Sequence, residues 1–389
     1  MKKTVLIVHN YYQIPGGEDS VVMNEKKLLE ENGHKVILYT RNNSELKSFS
    51  TIRKLFLPIT TVFNPTTYRD IRKLISQHDI EIIHVHNTLN IVSPAVYYAA
   101  VHAHIPIVQT IHNFRLLCPA ATFYRNNRVC EDCLHKGIGC AIWHGCYRKS
   151  KIQTAVCVIS MAIHRATKIY GRLNYITLTE FNKQKLFELK QIDSKKVFVK
   201  PNFVQYEDEF IPYAERKDQF VFAGRLDALK GVEILLKAWE LLKIRSVKNT
   251  TKLVICGTGP LEEWCHEYVK EHELKDVEFK GFVQNQIVKN IIGQSKALIL
   301  PTQWYEGFPM SIVEAISQIT PVVGSDIGNV GNIIKNDING WKFKYDSPDA
   351  LCNTLLNVHD ISGSLLSERE KYKSEENYMI LSDIYDKCI

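Results

Sequence analysis

Two glutamates, Glu306 and Glu314, stand eight positions apart in the stretch EGFPMSIVE. A helix advances about 1.5 Å per residue, so eight steps span roughly 10–12 Å. Carboxylates that far apart cannot share one proton or one small ion, but they suit the two ends of one elongated ligand. Gly307 lets a backbone approach that ligand closely. Pro309 suits the first turn of a helix, where its missing N–H costs nothing. The N–H groups of Gly307, Phe308, Met310 and Ser311 then lie at a positive dipole end, an anion site. A nucleotide-sugar has this order of parts: ribose, diphosphate, sugar. An exposed helix with two solvated glutamates has the same spacing.

Other residues offer complementary chemistry. Arg225 and Lys230 lie five apart in a strand-to-helix loop, GRLDALKG. Both can reach a diphosphate, Arg by a planar fork and Lys as a point charge. Two solvated surface charges are the alternative. Gly16 and Gly17 separate the first strand from a helix, which suits a loop against phosphate or sugar and also a plain turn. Gly259 lies in a second glycine turn, GTGP, after the strand KLVIC. His112 directly follows the strand PIVQTI, at the end where ligands sit in α/β folds. Five of the ten cysteines, Cys118, Cys130, Cys133, Cys140 and Cys146, fall within 29 residues, and Cys130 and Cys133 form a C-x2-C. In a reducing compartment this clustering points to metal before disulfide. Four thiolates such as Cys118, Cys130, Cys133 and Cys146, or three with His135 or His144, would make a closed structural zinc site, stapling an insertion that lacks a core. Reduced spectator thiols, disulfides and an iron–sulfur site are the alternatives.

These residues need a frame, and the apolar pattern supplies one. Strands rich in Val, Ile and Leu alternate with helical stretches through both halves, which predicts α/β domains with buried parallel sheets. The chain has 389 residues, enough for two such domains. The expected division is a first domain over 1–204 with a cysteine-rich insertion at 114–150, a polar linker at 205–219, a second domain over 220–365 and a final helix at 366–389. Pro58 and Pro65 are expected to break the stretch 51–75. This stretch mixes basic and apolar residues, and is read either as a helix on the sheet with a loop or as an interfacial membrane contact. No apolar run reaches the ~18–20 residues that span a bilayer, and the short run after Met1 reads as a buried strand, not a leader. Residues 1–210 carry 28 basic and 17 acidic side chains, against 21 and 25 in the remainder. A basic first half suggests an anionic partner. No nucleic-acid module accompanies it, so an anionic membrane surface or a phospholipid acceptor is expected, and no nucleic acid.

With these residues in place, Glu306 to Glu314 resembles the E-x7-E motif of retaining glycosyltransferases. The surrounding YEGFPMSIVEA and the GRL-x3-KG loop resemble family 4 of that class, and HNFRLLCP with the C-x2-C resembles a subset carrying a cysteine-rich insertion. The resemblance implies the GT-B architecture, two Rossmann-like domains facing across a cleft. It implies a nucleoside-diphosphate sugar donor held by Gly17, Arg225, Lys230, Gly259, the residues Gly307, Phe308, Pro309, Met310 and Ser311, and Glu314 on the ribose. Val283 would hold the base through its backbone, Glu306 the donor sugar, and His112 would contact the sugar near the transfer centre. It also implies a final helix that crosses back to the first domain. The expected enzyme is a metal-independent retaining hexosyltransferase acting on a lipid-linked or glycan acceptor in bacterial surface polysaccharide assembly (capsule, O-antigen or exopolysaccharide). It would be cytoplasmic and peripheral at the inner membrane face. A sugar-nucleotide epimerase, a phosphorylase and an inactive binding protein on the same fold are the competing classes. No GxGxxG follows a strand, which disfavours a dehydrogenase.

Overall fold

The computed structural model describes residues 2–13, 16–206, 209–246 and 250–389. The chain divides into two compact units. The first gathers Met1–Phe123, Cys130–Pro201 and Asn377–Ile389, and the second gathers Tyr124–Val129 and Asn202–Glu376.

In chain order, the first half contains β1 (Thr4–Tyr11), α1 (Gly17–Glu31), β2 (Lys35–Asn42), α2 (Thr51–Val62), α3 (Pro65–Gln77), β3 (Ile82–Asn87), α4 (Ala95–His102) and β4 (Ile107–Ile111). The cysteine-rich insertion follows, with a small hairpin of β5 (Tyr124–Arg125) and β6 (Arg128–Val129), then α5 (Asp132–His135) and α6 (Cys140–His144). Next come α7 (Lys151–Ala166), β7 (Asn174–Thr177), α8 (Glu180–Leu186) and β8 (Val197–Val199). Six of these strands form one parallel sheet in the order β2-β1-β3-β4-β7-β8. Val5 to Val8 are wholly buried, because a parallel sheet covered on both faces needs apolar side chains in both directions.

The second half repeats the pattern with β9 (Gln219–Ala223), α9 (Val232–Arg245), β10 (Lys252–Cys256), α10 (Glu262–Glu271), β11 (Val277–Gly281), α11 (Asn285–Gly293), β12 (Ala297–Leu300), α12 (Met310–Ser317), β13 (Val322–Ser325), α13 (Gly328–Ile333) and β14 (Gly340–Phe343). Its six-stranded sheet is also parallel, in the order β11-β10-β9-β12-β13-β14. The helices α14 (Pro348–Leu356), α15 (Ser362–Arg369) and α16 (Ser374–Cys388) end the chain. In each sheet strand order reverses beside the first strand, so each has a switch point at which carboxyl ends splay apart.

Three expectations change. Pro58 does not break its stretch but lies inside α2, on an exposed position where water can take the carbonyl its missing N–H leaves. Residues 366–389 are not one helix. α15 ends at Arg369, a 3-10 turn spans Glu370–Tyr372, and only α16 from Asn377 onward belongs to the first unit. The polar run 205–219, read as a linker, gathers with the second unit, and Glu207 and Asp208 in it lie outside the described residues. Within it Arg216 is buried and donates to Thr320 Oγ1 at 3.1 Å and to the Gln318 carbonyl at 3.0 Å, fastening that run to the second unit.

Candidate active site

In the second unit the switch point lies between β9 and β12, and the predicted phosphate and carboxylate residues leave these two strands at their carboxyl ends. After β9 the Asp227 carboxylate accepts the Lys230 N–H at 3.0 Å, closing a 3-10 turn over Ala228–Lys230. Gly231 ends the turn with φ +72°, and a Cβ there would lie 1.8 Å from the Pro301 carbonyl oxygen. Only glycine lets this turn press against the end of β12. That closeness delivers Lys230 to Glu306: Nζ lies 2.7 Å from Oε1, and Thr302 Oγ1 donates to the same oxygen at 3.0 Å. Asn329 Nδ2 donates to the carbonyl of Glu306 and, at 2.7 Å, to that of Gly307, fixing the backbone before α12. Glu306 is 5% exposed, whereas the Arg225 side chain is 62% exposed, with Nε 3.4 Å from Asp227.

Pro309 is the N-cap of α12 with extended ψ, so helical geometry starts at Met310, one residue later than expected. No side chain caps this end. Phe308 is buried, its ring centroid 6.4 Å from that of Tyr372. Met310 and Ser311 open the helix. Glu314 is buried inside it and accepts from Asn285 Nδ2 at 3.0 Å. Burial pushes its carboxyl above the usual range, opposed by Asn285 and Lys289. Val283 lies two residues before Asn285, half-buried. Gly259 serves the chain itself: a Cβ there would meet the Leu226 carbonyl oxygen at 2.4 Å, so the two strand-to-helix loops lie in contact.

In the first unit, β3 carries His84 and His86 and β4 ends just before His112. The strands are neighbours, so the His86 and His112 rings stack with centroids 5.2 Å apart and His86 Nδ1 lies 2.9 Å from His112 Nε2. On its other side His86 Nε2 lies 3.3 Å from Glu25 Oε2, and among the described residues neither atom has a hydrogen-bond partner. Lys200 Nζ lies 2.6 Å from Glu25 Oε1, and both side chains are wholly buried. Burial alone would raise the Glu25 pKa, but the Lys200 ammonium and the two histidines outweigh it and hold the carboxyl well below the usual range. Burial, then His86, keep His112 well below its ordinary pKa and hence uncharged. It can receive a hydroxyl proton in a hydrogen bond. Both rings line an open cleft of about 710 Å³, together with Tyr97, Asn113, Arg115 and Ser160.

Glu25, His84 and His86 also place one ligand atom each within 4.8 Å of one another. The Lys200 ammonium already supplies the cation there. Gly17 is the first residue of α1, whose N-terminus holds a carboxylate of its own: Asp19 accepts the Gly16 N–H at 3.0 Å and lies 2.8 Å from His9 Nε2.

Comparison with known proteins agrees with both halves. Residues 205–375 match the family Glycosyl transferases group 1, and residues 15–132 match Glycosyltransferase Family 4. HepE of Anabaena, solved in complex with UDP, superposes with a TM-score of 0.67 at 15% identity, covering 99% of this chain and 100% of that one. The chain has the GT-B glycosyltransferase fold. Among curated relatives, an uncharacterized glycosyltransferase of Methanocaldococcus jannaschii is 33% identical over 34% of this chain and 33% of its own length. The lipopolysaccharide 1,6-galactosyltransferase of Escherichia coli K12 is 30% identical over 48% of this chain and 52% of its own. These two matches thus span a third and about half of the relatives' lengths. A UDP-Gal:alpha-D-GlcNAc-diphosphoundecaprenol alpha-1,3-galactosyltransferase of Escherichia coli is 24% identical over 88% of this chain and 85% of its own.

Within the GT-B fold, sequence reasoning missed Glu25, His86 and Lys200. The signal for Glu25 was present: α1 buries Val21, Val22, Leu28 and Leu29, and Glu25 falls on that same stripe. Tyr12 and Glu18 were also missed. Tyr12 donates to Glu18 at 2.9 Å, the Glu18 Oε1 atom is buried, and this burial pushes the carboxyl up to about 8. In the cysteine-rich insertion Cys133 Sγ lies 3.8 Å from Cys140 Sγ and is hydrogen-bonded with Cys118.

Proposed function

We propose that this chain is a retaining, metal-independent glycosyltransferase that moves a sugar from a nucleoside-diphosphate sugar to a hydroxyl of a lipid-linked or glycan acceptor, in bacterial surface polysaccharide assembly. The observation that carries the reading is the Lys230–Glu306 pair at the switch point, on the loop that leads into the uncapped start of α12. In it Lys230, Arg225 and the first N–H groups of α12 stabilise the diphosphate as it leaves. The bond from the anomeric carbon to the diphosphate oxygen breaks and its electron pair departs with the phosphate. The acceptor oxygen bonds to the same face of that carbon, and its proton passes to the departing phosphate. Glu306 holds sugar hydroxyls through its second oxygen, Glu314 holds the ribose, and His112 accepts a hydrogen bond from a hydroxyl. No metal is needed in this scheme. Relatives named for lipopolysaccharide and diphosphoundecaprenol substrates support the pathway class.

The test is a melting-temperature panel of nucleoside diphosphates and their sugars, with and without chelator, followed by the anomeric configuration of the product. One nucleotide-sugar should raise the melting point by mass action, undiminished by chelator. The new linkage should keep the donor's configuration. Silence from every donor, or inversion, would overturn the reading.

An apolar face on the first unit supports an acceptor at a membrane. On α2, Ile52, Leu55, Phe56 and Ile59 are 70%, 75%, 52% and 64% exposed, at the spacing of one helical stripe, with Arg53 and Lys54 beside them. Trp143 and Ile152, close in sequence to Arg148, Lys149 and Lys151, are likewise 80% and 78% exposed. Such a face suits the boundary of an anionic bilayer. A second cavity lined by Lys54, Leu57 and Pro58 shares Thr61 and Cys157 with the His112 cleft, a route for a lipid tail from that face. No helix of the described residues is long and apolar enough to cross a membrane. The chain should float with phosphatidylglycerol vesicles and not with phosphatidylcholine ones, and Leu55→Ser with Phe56→Ser should abolish flotation. Equal recovery with both vesicle types would sink the membrane assignment.

A further inference from the structure

We propose that the cysteine-rich insertion is a zinc-binding knot, with Cys118, Cys133 and Cys140 as three thiolate ligands and the fourth from Cys130 or Cys146. The sulfur spacing argues first. Zinc–thiolate bonds of about 2.3 Å in a tetrahedron set neighbouring sulfurs about 3.8 Å apart. Cys133 and Cys140 are at 3.8 Å, whereas a disulfide needs about 2.05 Å. Cys133 is also the sulfur hydrogen-bonded with Cys118, so it sits between the other two.

The backbone around Cys118 argues next. The N–H groups of Ala120, Thr122 and Phe123 all point at its sulfur. Ala121 and Phe123 adopt φ of +68° and +49°, which curls the chain back over the thiol. A neutral thiol is a weak acceptor, and three converging donors suit a thiolate. The same turn binds the next ligand strand, because the Cys130 N–H donates to the Phe123 carbonyl at 2.7 Å. Cys118 and Cys130 thereby bracket the base of the β5–β6 hairpin.

The rest of the insertion shows why a staple is required. α5 buries no residue, and α6 buries only Ala141. Elements of four and five residues cannot hold themselves by helix propensity, and they contribute almost no apolar core. A metal that closes the segment from Cys118 to Cys140 replaces the missing core. On binding, each coordinating thiol releases its proton to water and the sulfur lone pair bonds the ion. No step of glycosyl transfer passes through it, so this proposal and the transferase reading fail independently.

The experiment is zinc content of the intact purified chain by plasma mass spectrometry, with cobalt(II) exchange read by thiolate-to-metal charge-transfer absorption. One zinc per chain is expected, and cobalt should give the absorption of a tetrahedral thiolate site. Cys118→Ser, Cys133→Ser and Cys140→Ser should lose the metal, with one of Cys130→Ser and Cys146→Ser joining them. Because such variants can fail to fold, the wild-type chain is also titrated with a thiol reagent before and after chelation. At least three thiols should become reactive only after the metal is removed. Absent zinc with no cobalt band, zinc retained in Cys133→Ser, or a mass two protons lower from a Cys133–Cys140 disulfide would each overturn the proposal.

Discussion

Lys230→Ala turns over its donor sugar roughly 100-fold or more slowly than the unaltered chain, the scale seen when one preorganised charge-stabilising donor is removed. The loss is in kcat, because the ammonium acts on charge that grows as the diphosphate leaves. The fold should survive. The Lys230 backbone N–H still satisfies Asp227, and Glu306 keeps the Thr302 hydroxyl. Arg225→Ala should match it in turnover at still smaller structural cost, since its side chain is 62% exposed. Steady-state kinetics on the donor found by the melting panel decide the matter. Near-normal kcat in both variants would remove the phosphate assignment and leave Lys230 as a structural partner of Glu306.

Lys200→Met should destabilise the first unit by about 3–5 kcal/mol, the usual consequence of leaving one half of a buried ion pair alone. Glu25 would then face the imidazoles of His84 and His86 in a wholly buried place. The Glu25→Gln and Lys200→Met double variant should recover much of that loss. The pH dependence has a definite sign. Glu25 has a folded pKa held below its unfolded value, so its contribution is complete above the ordinary carboxylate range and is lost as pH falls through the depressed folded value. In Lys200→Met the largest contribution to that depression is gone, and the variant's deficit should shrink in acid. Urea unfolding at several pH values measures both effects. Equal midpoints for wild type and Lys200→Met would show that the pair contributes nothing.

Most of the frame was legible in the chain. Strands buried on both faces announce themselves as unbroken runs of Val, Ile and Leu, as at Val5–Val8 and Ala297–Leu300. Lys230 and Glu306 were legible as types at a spacing, but their 2.7 Å pairing was not. That pairing depends on two strands that become neighbours only when the sheet is wound, and on Gly231 clearing the Pro301 carbonyl. His112 stood out because it ends a strand. His86 did not, because its importance lies in a stacked ring from the next strand and a carboxylate from α1, far apart in sequence. Pro58 misled because its cost depends on whether water reaches the helix there, which sequence does not state. The cysteines were visible as a cluster, yet which of them meet is decided by the turn around Cys118 and the placement of Cys140, and neither follows from the C-x2-C spacing.

The fit of Gly231 against the Pro301 carbonyl affects how a saturation mutagenesis map of this chain should be read. Every side chain at position 231 would be rejected, and the position would score with the residues that touch substrate. The intolerance would be steric and internal, present with or without donor. Position 225 would show the reverse pattern, permissive in an assay of abundance and strict in an assay of turnover. Comparing the two assays, rather than ranking positions in either, separates the residues that shape the loop from those that handle the ligand.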